Sequence, residues 1–103
     1  MEKSKIIYSS VKNRMRAIDP EIKVILFGSR ARNDANESSD WDFLILTQYP
    51  VSRNLKNQIN DELFEAELET DEVLTAIIAN KNQWESYYNT PLFKNILKEG
   101  IEI

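Results

Sequence analysis

Ile22-Lys23-Val24-Ile25-Leu26-Phe27-Gly28-Ser29-Arg30-Ala31-Arg32 and, further on, Asp40-Trp41-Asp42-Phe43-Leu44-Ile45-Leu46 are the two stretches that decide the fold. Each contains a short apolar run, rich in β-branched or aromatic residues, of the length that reads as a buried strand. Gly28 stops the first run, and Pro50 lies just beyond the second. Between them Asn33-Asp34-Ala35-Asn36-Glu37-Ser38-Ser39 has the composition of a polar turn, and Ser29 to Arg32 open a short helix or turn.

The flanking segments supply the rest of a layered domain. From Lys3 to Ala17, with Ile18 continuing the stripe, Ile7, Val11 and Met15 recur at helical spacing, and Asp19-Pro20 ends that helix. From Ser52 to about Leu68 the stripe Leu55, Ile59, Leu63 and Ala66 predicts a second amphipathic helix, with Ser52 or Asn54 as its cap. Val73 to Ile78 reads as a third strand, Asn82 to Asn89 and Pro91 to Lys98 as two short helices, and Gly100-Ile101-Glu102-Ile103 as a tail. Strands alternating with helices predict an α/β (α+β) domain, a small mixed sheet flanked by helices, spanning residues 1–103 as one unit.

Composition limits the chemistry. The 103 residues include no Cys and no His, which excludes thiolate nucleophiles, disulfides, Cys/His zinc sites and imidazole acid–base catalysis. Carboxylates, hydroxyls, Lys and Arg remain. A net charge of −4 disfavours a long nucleic-acid partner. No segment reads as a signal peptide or a membrane span, so a cytoplasmic protein without a membrane partner is expected.

Within these limits the two stretches hold complementary halves of a site. Asp40 and Asp42 stand at i and i+2 at the start of a strand, where alternation places both on one face about 7 Å apart at the backbone. Two carboxylates sharing a face repel each other unless a cation bridges them, and a purely oxygen ligand set suits Mg²⁺ or Mn²⁺. Gly28 lets backbone approach a ligand closely, and the amides that follow it, with the Ser29 hydroxyl, can donate to an anion. Arg30 and Arg32 add positive charge, for a phosphate contact or for ion pairs with Asp34 or Glu37. A metal-bound nucleoside triphosphate needs both halves.

Gly28-Ser29, ten intervening residues, then Asp40-Trp41-Asp42 resembles the Gly-Ser-x10-Asp-x-Asp signature of the polymerase-β-like nucleotidyltransferase superfamily. The short chain looks like its minimal nucleotidyltransferase (MNT) group. The resemblance implies that Gly28 and Ser29 hold the triphosphate, with Arg30 or Arg32 as an auxiliary contact. Asp40 and Asp42 would be the catalytic residues that bind Mg²⁺ or Mn²⁺, and ATP is the expected nucleotide. It also implies a third carboxylate on the next core strand. Here the aligned position falls near Thr75, with Asp71 and Glu72 nearby but not in a safe register.

A chain of this size has no room for a separate acceptor-binding domain, so that surface must come from another protein, a homodimer mate or a small molecule. The resemblance implies a HEPN-type partner and the role of antitoxin in a toxin–antitoxin pair. The rival reading is a catalytically degenerate module of the same fold that acts through nucleotide or partner binding alone. A small-molecule nucleotidyltransferase ranks lower. Trp41 is expected in the core, and the acidic run from Glu62 to Glu72 reads as a solvated helix face and exit loop. Trp84, Tyr87, Tyr88 and Phe93 are expected to close the core against the sheet.

Overall fold

The computed structural model describes residues 2–36 and 38–103. Its elements follow in the order α1 (Lys3–Ile18), β1 (Lys23–Phe27), α2 (Ser29–Arg32), β2 (Trp41–Thr47), α3 (Arg53–Thr70), β3 (Leu74–Asn80), α4 (Lys81–Trp84), α5 (Pro91–Glu99) and β4 (Ile101–Glu102).

The two long helices form where the apolar stripes predict them. Ile7, Val11 and Met15 of α1 are fully enclosed, and Leu55, Ile59, Leu63 and Ala66 of α3 are buried. Enclosing an aliphatic side chain of that size contributes about 1.5–3 kcal/mol. Ser52 caps α3 by accepting from the Leu55 amide at 3.1 Å. At the other end Asp71 takes the left-handed conformation and closes the helix.

The strands lie in the order β3-β2-β1-β4. β1 runs antiparallel to β2, and β3 runs parallel to β2 after the α3 crossover. The register sets Phe27 and Thr75 on either side of Asp42.

The two faces of this sheet differ. Trp41, Phe43 and Ile45 of β2 join Val24 and Leu26 beneath α1 and α3 in the main core. Leu44 and Leu46 point the other way, into a smaller cluster with Ile96 of α5 and the flanking Ile25, Phe27, Ile77 and Trp84. Asp42 shares that second face by alternation and lies at its rim. Trp41 is core, as expected.

Three segments depart from the sequence reading. Residues 100–103 are not a tail: Ile101 and Glu102 pair with Leu26 and Ile25 as β4, and the Ile103 amide donates to the Val24 carbonyl at 3.0 Å. The segment 82–89 splits into α4 and a 3₁₀ turn over Glu85–Tyr87. Of its aromatic residues Trp84 packs on Phe93 at 5.0 Å, whereas Tyr87 and Tyr88 are exposed.

The acidic run is more engaged than a solvated face. Arg14 binds Glu62 and Glu69, Lys3 pairs with Glu72, and Glu67 accepts from the Leu74 amide at the start of β3. No helix among the described residues is long and apolar enough to cross a membrane.

Candidate functional site

The site begins where β1 ends. Gly28 has φ +78°, a conformation that L side chains rarely adopt, and its carbonyl accepts the first bonds of α2 from the Ala31 and Arg32 amides. A Cβ placed on Gly28 would lie 2.5 Å from Asp42 Oδ2. The absence of a side chain therefore creates the room in which a carboxylate oxygen from the neighbouring strand sits against the turn. Both requirements, left-handed backbone and close approach, fall on the same residue.

Asp42 is held from the other side as well. Thr75, directly opposite it across the β2–β3 ladder, donates its hydroxyl to Asp42 Oδ1 at 2.5 Å. Thr75 is thus the β3 residue beside the aspartate. Asp71 closes α3 through its backbone, its amide donating to the Glu67 carbonyl, and the Glu72 carboxylate is paired with Lys3. Among the described residues no group of three acidic side chains gathers to hold a metal.

Asp40 is exposed and lies one residue before β2 begins, so strand alternation fixes the face of Asp42 but not that of Asp40. The residues on either side of Asp40 are gripped by one side chain. Arg30 donates to the Ser39 carbonyl at 3.0 Å, and its guanidinium lies 4.4 Å from the centre of the Trp41 ring. Tyr8 meets the same ring edge-on at 6.1 Å. Burial pushes the Tyr8 phenol above its ordinary pKa, with the Arg30 charge pulling it back. The loop before Asp40 is tightened by the Asn36 side chain, which accepts from the Ser38 amide, while the Ser39 hydroxyl accepts from the Asn36 amide.

Arg32 turns outward. It binds Asp34 at 3.1 Å and reaches both carboxylate oxygens of Glu99, at 3.1 and 3.2 Å. These partners, Asp34 foremost, raise its pKa further above the ordinary arginine value. The alternative partner Glu37 lies outside the described residues. Glu99 also accepts from the Gly28 amide at 3.3 Å. Sequence reasoning missed Glu99, which is brought there by the pairing of the edge strand β4 behind it, a strand too short to carry a periodic signal of its own.

Gly28, Ser29, Arg30, Arg32, Asp40 and Asp42 therefore lie on one turn and the adjoining strand start. Their donor set fits a small hard cation: Asp42 presents Oδ2 toward the glycine turn, Asp40 is exposed, and the neighbouring polar group is the Thr75 hydroxyl. Two carboxylates with substrate phosphates completing the shell is a common arrangement for Mg²⁺.

A family model described as a nucleotidyltransferase domain matches residues 9–103. No curated protein matches the chain. Among solved structures, one described as a toxin–antitoxin with AMP-PNP is similar with a TM-score of 0.62 at 17% identity, covering 99% of this chain and 72% of that one. Another, the toxin–antitoxin MntA-HpeT with two Asp→Glu substitutions, gives a TM-score of 0.60 at 16% identity, covering 99% and 71%. At such identities the likeness concerns the fold.

Proposed function

Because the chain belongs to the nucleotidyltransferase domain family, we propose that it binds a nucleoside triphosphate, with ATP the expected one, together with Mg²⁺ or Mn²⁺ and transfers the nucleoside monophosphate to a hydroxyl of a protein partner. The observation that carries this reading is the seating of Asp42 Oδ2 against the glycine turn. It puts a carboxylate and an anion-binding backbone within one ligand's reach. Asp40 and Asp42 hold the cation, which when bound neutralises phosphate charge and polarises the phosphorus being attacked. Gly28 and Ser29 receive the triphosphate, Arg32 supplies fixed charge, and Arg30 braces the segment that carries Asp40.

In the transfer itself, the acceptor hydroxyl oxygen bonds to the α-phosphorus as the bond to the bridging oxygen breaks. Pyrophosphate leaves with that electron pair, and the hydroxyl proton passes to solvent or to a base of the partner. The partner is proposed to be a HEPN-type toxin, with this chain as its cytoplasmic antitoxin; a homodimer is the alternative arrangement. In support, the two similar solved structures named above are toxin–antitoxin structures. An exposed apolar groove of about 360 Å³ along β3, lined by Ile77, Trp84, Tyr87 and Leu92, also offers docking surface.

A second reading rests on Thr75. A hydroxyl where a third carboxylate would complete the site favours a module that binds nucleotide and partner without turnover. Labelled ATP with Mg²⁺ and the co-expressed partner separates the two. Covalent label that Asp42→Asn lowers on the order of a hundredfold, as loss of about 2.7 kcal/mol of transition-state stabilisation requires, establishes the transferase. Nucleotide binding with no label under either metal establishes the module.

A further inference from the structure

Glu99 is the last residue of α5, and it is placed against the local preference of that helix, because a negative charge in the last turn opposes the helix dipole. Its surroundings explain the position. Its side chain is only 18% exposed, and both oxygens are within 3.1–3.2 Å of Arg32 while one also accepts from the Gly28 amide. These are an arginine and a backbone amide that the proposed function assigns to the triphosphate.

The chain is built to put the carboxylate there. Gly100 follows immediately, and a Cβ at Gly100 would meet the Ile96 carbonyl at 2.5 Å and Ile25 at 2.8 Å, so only glycine lets the helix end flush on β1. β4 then pairs with Ile25 and Leu26, the residues that lead into Phe27 and Gly28. Glu99 is thus fastened to the very strand end whose amide it occupies.

Resting on the nucleotide reading above, we infer that Glu99 is an internal stand-in for phosphate that occupies the Gly28 amide and Arg32 in the empty protein and must be displaced when a polyphosphate binds. One amide hydrogen serves one strong acceptor, so a phosphate oxygen that takes the Gly28 N–H dislodges the carboxylate. A carboxylate left within contact distance of the incoming phosphates would repel them. The device selects ligands by charge: a polyphosphate carrying its own cation outcompetes a single carboxylate, and a singly charged anion does not.

The test is MgATP and Mg-tripolyphosphate affinity for the wild type, Glu99→Gln, Glu102→Gln and Asp42→Asn, with thermal unfolding of each protein alongside. Glu102, exposed on β4, controls for the change in net charge. Glu99→Gln is expected to bind both ligands about fivefold tighter, a partly exposed charge-assisted contact having been removed, and Glu102→Gln to stay within about twofold of wild type. In the unmodified protein the Glu99 side-chain carboxyl ¹³C resonance is expected to shift on saturation with MgATP, a readout that no folding defect disturbs. Binding that Asp42→Asn removes but Glu99→Gln leaves no tighter than Glu102→Gln does, or a Glu99 resonance that stays in place, overturns the inference and leaves the nucleotide site standing. Binding by none of the proteins, Glu99→Gln included, overturns both.

Discussion

Strand β2 carries an Asp–Thr hydrogen bond at each end, and the two are built differently. At its C-terminal end Thr47 donates to Asp19 Oδ2 at 2.7 Å, and Asp19 also receives the Gln48 amide, the Gln48 side chain and the Glu21 amide. Asp19 is wholly enclosed. At the N-terminal end Thr75 donates to Asp42, which is half-buried and turns its other oxygen toward a glycine turn. One carboxylate is surrounded by donors on both oxygens and belongs to the architecture. The other is steadied on one oxygen and presents the second, which is the state in which a ligand-binding carboxylate is useful.

The largest expected break in this comparison is Asp19→Ala. It strands several buried donors at once and should cost about 3 kcal/mol in denaturant unfolding. The same end governs the acid limit. Burial, the strongest single influence on Asp19, pushes its pKa up, but the four hydrogen bonds together outweigh it and hold the carboxyl below the ordinary 3.8. A carboxylate whose pKa is depressed by folding stabilises fully above its unfolded value, and that stability is lost as pH falls through the lower folded value. Unfolding free energy should therefore decline below about pH 4, and less steeply in Asp19→Asn.

Gly28→Ala comes next, at about 2 kcal/mol, since it combines a left-handed backbone with a Cβ overlapping Asp42. Its nucleotide binding should fall as well, because the displaced carboxylate is the one proposed to hold the cation. Smallest in stability is Thr75→Val, expected to cost about 1 kcal/mol or less at an exposed position. It sharpens the contrast, because freeing the Asp42 side chain should weaken Mn²⁺ binding several-fold while the melting temperature falls by no more than about 5 °C.

Much of this was readable beforehand because it is local. The stripes of α1 and α3, the Ser52 cap and the two apolar strands each follow from a few consecutive residues, whereas Thr75 was marked only by the family resemblance, as the position near which a third carboxylate would fall, and its place opposite Asp42 comes from the fold. What escaped is non-local. A two-residue strand such as β4 is defined by its pairing with Ile25 and Leu26 and has too few residues to announce itself. Glu99 at Gly28 depends on that pairing, and the exposure of Tyr87 and Tyr88 depends on where α4 breaks. The gripping of Ser39 and Trp41 by Arg30 likewise joins residues that only the folded loop brings together.

The contrast between the two aspartates is tested most directly by Asp42→Asn, measured for thermal stability without metal and for Mn²⁺–ATP binding by titration. Removing a charge proposed to serve a cation should leave the unfolding temperature unchanged or raise it while binding is lost. A variant that loses several kcal/mol of stability without metal, or binds Mn²⁺–ATP as the wild type does, would contradict the account and make Asp42 a structural residue like Asp19.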